Sequence, residues 1–440
     1  MNARERTIRK FNPGTLQSDE EVKAQFVVRE RELEIVLETL RGNIRSPSCQ
    51  HILLIAPRGQ GKTMLLARVA AELRTHEELS ECFFPVQFME ESHEILTVAD
   101  FWLETLFHLA RECKARDPAL ADELSATHAD LASRWREREI AERVRAAVLE
   151  AADRLGKRLV LMVENLQELC RSADDDFGWQ LRCTLQSEPQ IVLLASATGH
   201  FAQLSDVREP FFEFFRIVSL EPLDTEACRR LWQVVSGEAA SDHEIRPLQI
   251  LTGGNPRLLV IVGSFARHRS LRRLMEDLVA LIDEHTEYFR SHLEGLPKVE
   301  RRVYLAAIDL WRPSSSGEIA TRARMGVRTV SAMLGRLCER GMVAAEGTDR
   351  KRLYAAAERL YGIYYKLRRE RDEAAIVHVL IRFMAAFYSG SELAEISSGL
   401  LREAERFPAI REGLKRATNE SPSLRNVFDQ ADERIVADDT

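Results

Sequence analysis

The stretch from His51 to Met64 constrains this chain more than any other. A short apolar run, His51–Ile55, leads into Ala56-Pro57-Arg58-Gly59-Gln60-Gly61-Lys62-Thr63, and an apolar helical pattern begins at Met64. Glycines at 59 and 61 allow the chain to curl so that successive backbone N–H groups point inward around an anion. A helix N-terminus adds its positive end, Lys62 supplies an ammonium group for phosphate oxygens, and the Thr63 hydroxyl is placed to ligate Mg²⁺. Arg58 through Met64 are therefore expected to line a bound phosphate tail. Ala56 stands where the usual pattern has its first glycine, a mild departure because alanine still permits close approach.

A nucleotide–magnesium site also needs a carboxylate at the end of a neighbouring buried strand. Leu159-Val160-Leu161-Met162-Val163-Glu164-Asn165 has that form. Glu164 is the candidate metal ligand, directly or through water. Asn165 falls where a glutamate commonly polarises the attacking water, which leaves binding intact and puts hydrolysis in question. Glu168, one helical turn on, could substitute as base or could be a solvated surface residue. The run Ile191–Ala195 ends in Ser196-Ala197-Thr198, where a hydroxyl can report on the γ-phosphate; Thr198 is favoured over Ser196, against the alternative of a polar strand cap.

Five strand-length apolar runs, His51–Ile55, Phe83–Phe88, Leu159–Val163, Ile191–Ala195 and Phe215–Leu220, alternate with helical stretches. That alternation predicts a parallel sheet covered on both faces. The connection from Glu91 to Lys157 is dense in Leu, Ala, Glu and Arg and reads as inserted helices. From Asp224 onward helical patterns dominate. The expected domains are a polar arm (1–25), a nucleotide core (26–222), a helical lid (223–295), a compact module (296–370) and a helical tail with an acidic end (371–440). Gly253-Gly254-Asn255-Pro256-Arg257 opens a lid helix, and Arg257 there could pair with phosphate oxygens or simply be an exposed helix-start arginine.

Charge is distributed unevenly. Residues 296–370 hold 16 Lys and Arg against 8 Asp and Glu, a local +8 in a chain whose total is −7, leaving −15 for the rest. A basic module on an acidic chain bears on partners. Its pattern of three helices and a hairpin predicts a winged helix. Arg328, Thr329 and Arg336 would then enter a DNA major groove, with Arg350, Lys351 and Arg352 of the hairpin on the backbone. Such modules also serve as packing elements, so duplex DNA is one of two expectations. No apolar run is long enough to cross a bilayer, and seven cysteines without a CxxC pair suit a reducing compartment. A cytoplasmic location is expected.

Gly-Gln-Gly-Lys-Thr, the entry segment Phe26-Val27-Val28-Arg29-Glu30-Arg31-Glu32-Leu33, Pro222-Leu223-Asp224 and Gly-Gly-Asn-Pro-Arg together resemble the AAA+/STAND superfamily of P-loop ATPases, especially its origin-recognition-like, archaeal-ATPase-like branch. The resemblance covers roughly residues 25–365. It implies a sheet of order 5-1-4-3-2 with a helical lid, ATP or ADP with Mg²⁺ as ligand, and Arg29 near the adenine. It also implies a nucleotide-dependent homo-oligomer, with Arg208 or Arg216 as arginine finger. The tail segment Phe383–Tyr388 is expected to pack or to meet a protein partner. The alternative function is a DNA-binding regulator holding nucleotide as a structural ligand with negligible hydrolysis.

Overall fold

The computed structural model describes residues 18–438 except 89–94, 135–138, 238, 269, 285, 311–312, 341, 348–351, 358, 370 and 388–389. The chain forms two compact units, one ending at Glu221 and the other starting at Pro222.

The first unit is built on five parallel strands: β1 (His51–Ile55), β2 (Phe83–Gln87), β3 (Arg158–Val163), β4 (Ile191–Ala197) and β5 (Phe215–Ser219). Their spatial order is β2-β3-β4-β1-β5, the expected 5-1-4-3-2. All pairs are parallel, with Leu53 opposite Ala195 and Val160 opposite Val192. Every residue of β1 and β4 is buried, which is why these strands read as unbroken apolar runs instead of alternating. Two cores flank the sheet. One gathers Leu33, Val36, Leu40, Leu65, Val69 and Leu73 from the helices Glu30–Asn43 and Lys62–Thr75. The other packs Phe101, Trp102, Val144, Val148 and Phe177. The long second connection does form three helices, Val98–Cys113, Pro118–Ser133 and Ile140–Leu155. Thr97 starts the first with a reciprocal cap to Asp100. Burial pushes the thiols of Cys113 and Cys170 up to about 11 and about 12, so both stay protonated at neutral pH.

His51 opens β1 from a position 2% exposed. Its Nδ1 accepts the Leu193 N–H (3.1 Å), and Nε2 donates to the Leu185 carbonyl (3.2 Å). A second proton would meet a donor, and burial lowers the imidazole pKa from 6.5 to about 4. The unfolded chain therefore binds protons more readily. This contribution is complete above pH 6.5 and fades as pH falls towards 4. Urea unfolding should show the parent losing about 2 kcal/mol between pH 7.5 and pH 5 that His51→Gln does not lose. Equal losses in both proteins would refute this.

Among its described residues the second unit is helical apart from one small sheet. Asp224 caps Thr225–Ser236, its side chain accepting from Ala227 N. Asp242–Thr252, Pro256–His268, Leu271–Glu284 and Thr286–Glu294 follow. The glycine pair before Arg257 has a packing cause. Gly253 and Gly254 both have positive φ, and a Cβ on Gly254 would lie 2.6 Å from the Leu223 carbonyl oxygen.

Residues 298–356 run helix (Lys298–Leu310), β6 (Ser314–Ser315), helix (Ser316–Ala323), helix (Val327–Glu339), β7 (Val343–Glu346) and β8 (Leu353–Ala356). The strands form an antiparallel sheet of order β6-β8-β7. A π-helix, Tyr365–Arg369, leads to four tail helices, Glu373–Phe387, Gly390–Arg406, Pro408–Glu420 and Pro422–Asp438. The acidic end expected as a tail belongs to the last of these. Leu424, Phe428 and Ala431 are buried, and Asp432 and Glu433 follow on the same helix.

Candidate functional site

The loop between β1 and the helix Lys62–Thr75 lies at the carboxyl end of the sheet, beside the end of β4. The Ala56 N–H donates to the Ala197 carbonyl at 3.2 Å and fixes where the loop departs. Gly59 (φ 80°) and Gly61 (φ 92°) take the left-handed conformations that allow the inward curl. A Cβ on Gly61 would meet no atom within 4 Å, so the requirement there is backbone conformation, with open space on that side. Lys62 is 7% exposed, and its Nζ donates to the Ala56 carbonyl (2.5 Å) and the Pro57 carbonyl (3.1 Å). The ammonium is thus folded over the loop, held by carbonyls that a stronger acceptor, such as a phosphate oxygen, can replace. Thr63 Oγ1 donates to Glu164 Oε2 at 2.7 Å. Hydroxyl and carboxylate, 101 residues apart in sequence, meet as two oxygen ligands suited to a hard cation. The donor set therefore fits a nucleotide phosphate tail with Mg²⁺.

Glu164 directly follows β3. Asn165 takes a left-handed conformation (φ 54°), which asparagine tolerates better than glutamate. Its N–H donates to the buried Ser196 hydroxyl at 3.3 Å. Glu168 is ion-paired with Arg171, and its side chain is 37% exposed. Thr198, 8% exposed, accepts from Gln167 Nε2 at 3.2 Å. Gln167 had no motif to announce it; the only signal was its place two residues past Asn165, on the helix starting at Leu166.

Arg29 sits behind the loop, 8% exposed and itself left-handed (φ 78°). Its Nη2 donates to the Gln60 side chain (3.2 Å) and the Gln60 carbonyl (3.4 Å), while Nη1 pairs with Glu32 (3.0 Å). In a trans peptide the carbonyl and the next N–H point in opposite directions. Holding the Gln60 carbonyl back therefore sends the Gly61 N–H the other way. The entry segment acts on the loop itself.

The remaining sequence candidates are dispersed. Arg208 is 84% exposed and paired with Asp206 (2.7 Å). Arg216, on the edge strand β5, donates to the Thr39 hydroxyl at 2.8 Å. Arg257 belongs to the second unit. Arg328, Thr329 and Arg352 are exposed. Arg336 and Arg340 both lie 3.5 Å from the carboxylate of Glu300, which is 2% exposed. Arg350 and Lys351 lie outside the described residues. Of the tail segment, Met384 is buried, while Phe383, Phe387 and Tyr388 have no described side chains.

A buried parallel sheet whose first strand feeds a glycine nest, with a carboxylate at the next strand end but one, defines a P-loop nucleotide-binding fold. Residues 25–195 match the family model of the AAA ATPase domain. Among solved structures, the Walker-type ATPase paby2304 of Pyrococcus abyssi is similar at 16% identity over 81% of this chain and 99% of that one, with a TM-score of 0.55. The ORC2 protein of Aeropyrum pernix, solved as ADPNP-ADP complexes, aligns at 12% identity over 84% and 98%, TM-score 0.49. The ORC1 protein of the same organism, solved in complex with DNA, aligns at 16% identity over 82% and 100%, TM-score 0.41. The first likeness establishes a shared fold. No curated protein sequence matches the chain. Among the described residues, no helix is long and apolar enough to cross a membrane.

Proposed function

We propose that the protein is an ATP-binding switch of the AAA+/STAND kind, slow to hydrolyse, whose nucleotide state sets the position of the lid and of the basic module. The observation that carries this reading is the Thr63–Glu164 hydrogen bond beside the folded-over Lys62, with Asn165 where a catalytic carboxylate would stand. Gly59, Gly61 and Lys62 would hold the phosphates, and Thr63 and Glu164 the magnesium. Bound Mg²⁺ supplies positive charge against the phosphate tail. Arg257 would link the lid to the phosphates, and Arg208 or Arg216 would serve a neighbouring copy. The element order of residues 298–356 supports a winged helix, and its local +8 supports contact with duplex DNA through Arg328, Thr329, Arg336, Arg350, Lys351 and Arg352. The tail helices would meet a protein partner, and a cytoplasmic setting suits the whole.

Asn165 also favours a second reading, a DNA-binding regulator with nucleotide as a structural ligand. Sedimentation and limited proteolysis in the apo state, with ADP and with a non-hydrolysable ATP analogue should give different patterns for the last state. Identical behaviour in all three would sink the switch. Phosphate release stimulated by duplex DNA would exclude the second reading.

A further inference from the structure

We infer that Gln167 is the residue through which the site distinguishes a nucleoside triphosphate from a diphosphate, acting on the third phosphate by way of Thr198. The inference rests on nucleotide binding at residues 59–63. Four side chains lie at or just beyond the ends of β3 and β4, and two of them are already committed. Ser196 accepts the Asn165 N–H (3.3 Å), and Glu168 is paired with Arg171 at the surface. The Gln167–Thr198 pair remains. Because Thr198 Oγ1 accepts from Gln167 Nε2 (3.2 Å), its own proton is left to donate elsewhere. At the other end of the amide, Gln167 Oε1 is buried and has no hydrogen-bond partner among the described residues. A buried carbonyl oxygen without a donor is costly and calls for one.

The pair therefore offers one hydroxyl proton and one carbonyl acceptor. The Ala56–Ala197 hydrogen bond (3.2 Å) ties this strand end to the start of the phosphate loop. A phosphate oxygen accepts from a hydroxyl, and a water bound to that phosphate donates to a carbonyl. A hydrated third phosphate satisfies both groups; a diphosphate leaves both as they are. Gln167 is thus a positioning residue: it fixes the direction of the Thr198 proton and supplies the acceptor for the water.

Calorimetry of the full chain with Mg²⁺ and either ADP or a non-hydrolysable ATP analogue tests this. The parent should prefer the analogue by about tenfold. Gln167→Met should reduce that preference to about twofold or less while leaving ADP affinity within about twofold of the parent. Gln167→Glu, nearly isosteric, should do the same because a carboxylate turns the Thr198 proton towards itself, and it keeps the test open should the Met variant not fold. Thr198→Val should lose the preference as well, and the Gln167→Met/Thr198→Val double variant should lose no more than Thr198→Val alone. A parent without preference, Gln167 variants that retain it, losses that multiply in the double variant, or equal weakening of ADP and analogue would each overturn the inference. A parent that binds neither nucleotide would refute the nucleotide reading itself, and this inference with it.

Discussion

Lys62→Ala is expected to weaken binding of ATP and ADP by about 100-fold, with little effect on folding. The ammonium is buried beside the loop and donates to the Ala56 and Pro57 carbonyls. A phosphate tail accepts more strongly than a neutral carbonyl, so a bound anion gains most from this ammonium. Charge-assisted hydrogen bonds contribute more than neutral ones, and two of them on a phosphate tail account for the size of the effect. Calorimetry on parent and variant measures it, and thermal unfolding without ligand checks the fold. Equal affinity in the two proteins would remove the basis for every nucleotide role assigned above.

Asn165→Glu should raise ATP turnover on the order of 100-fold, the contribution expected of a correctly placed general base. It should also lower stability by about 1 kcal/mol, because residue 165 is left-handed and glutamate, unlike asparagine, fits that conformation poorly. The two effects are separable, one read as phosphate release and the other as a shift in urea midpoint. Asn165→Gly provides the control: it should relieve the backbone without creating a base, and turnover should stay at the parent level. If Asn165→Glu folds, binds ATP and still turns over no faster than the parent, slow hydrolysis has a cause other than the missing carboxylate.

The parts of this molecule legible in its sequence are those with local causes. Apolar runs of strand length marked β1 and β4 because the sheet is covered on both faces there and every position of both is buried, whereas the edge strand β5 is buried only at Val218. The loop was legible because its chemistry is contiguous from residue 56 to residue 63. Long-range pairings were less so. Ser196 and Thr198 could not be assigned different partners from the sequence, because the choice depends on where the helix after Asn165 directs its side chains. Gln167 was overlooked in favour of Glu168, whose charge made it the more obvious candidate but whose carboxylate is taken by Arg171. In the last helix the spaced apolar residues Leu424, Phe428 and Ala431 are buried, and Asp432 and Glu433 lie on the same helix.

The ties at the carboxyl end of the sheet also bear on how the protein matures. Thr63 meets Glu164, 101 positions further along the chain, only after the segment between them has been made and packed, and the Ala56 amide finds its acceptor later still, at Ala197. Contacts this distant in sequence form late in folding. A nascent chain that has emerged only through β3 would carry the entire glycine-lysine segment and yet lack the strand that anchors it. Nucleotide would then discriminate finished cores from unfinished ones, stabilising the former by mass action and leaving the latter to the cell's proteases.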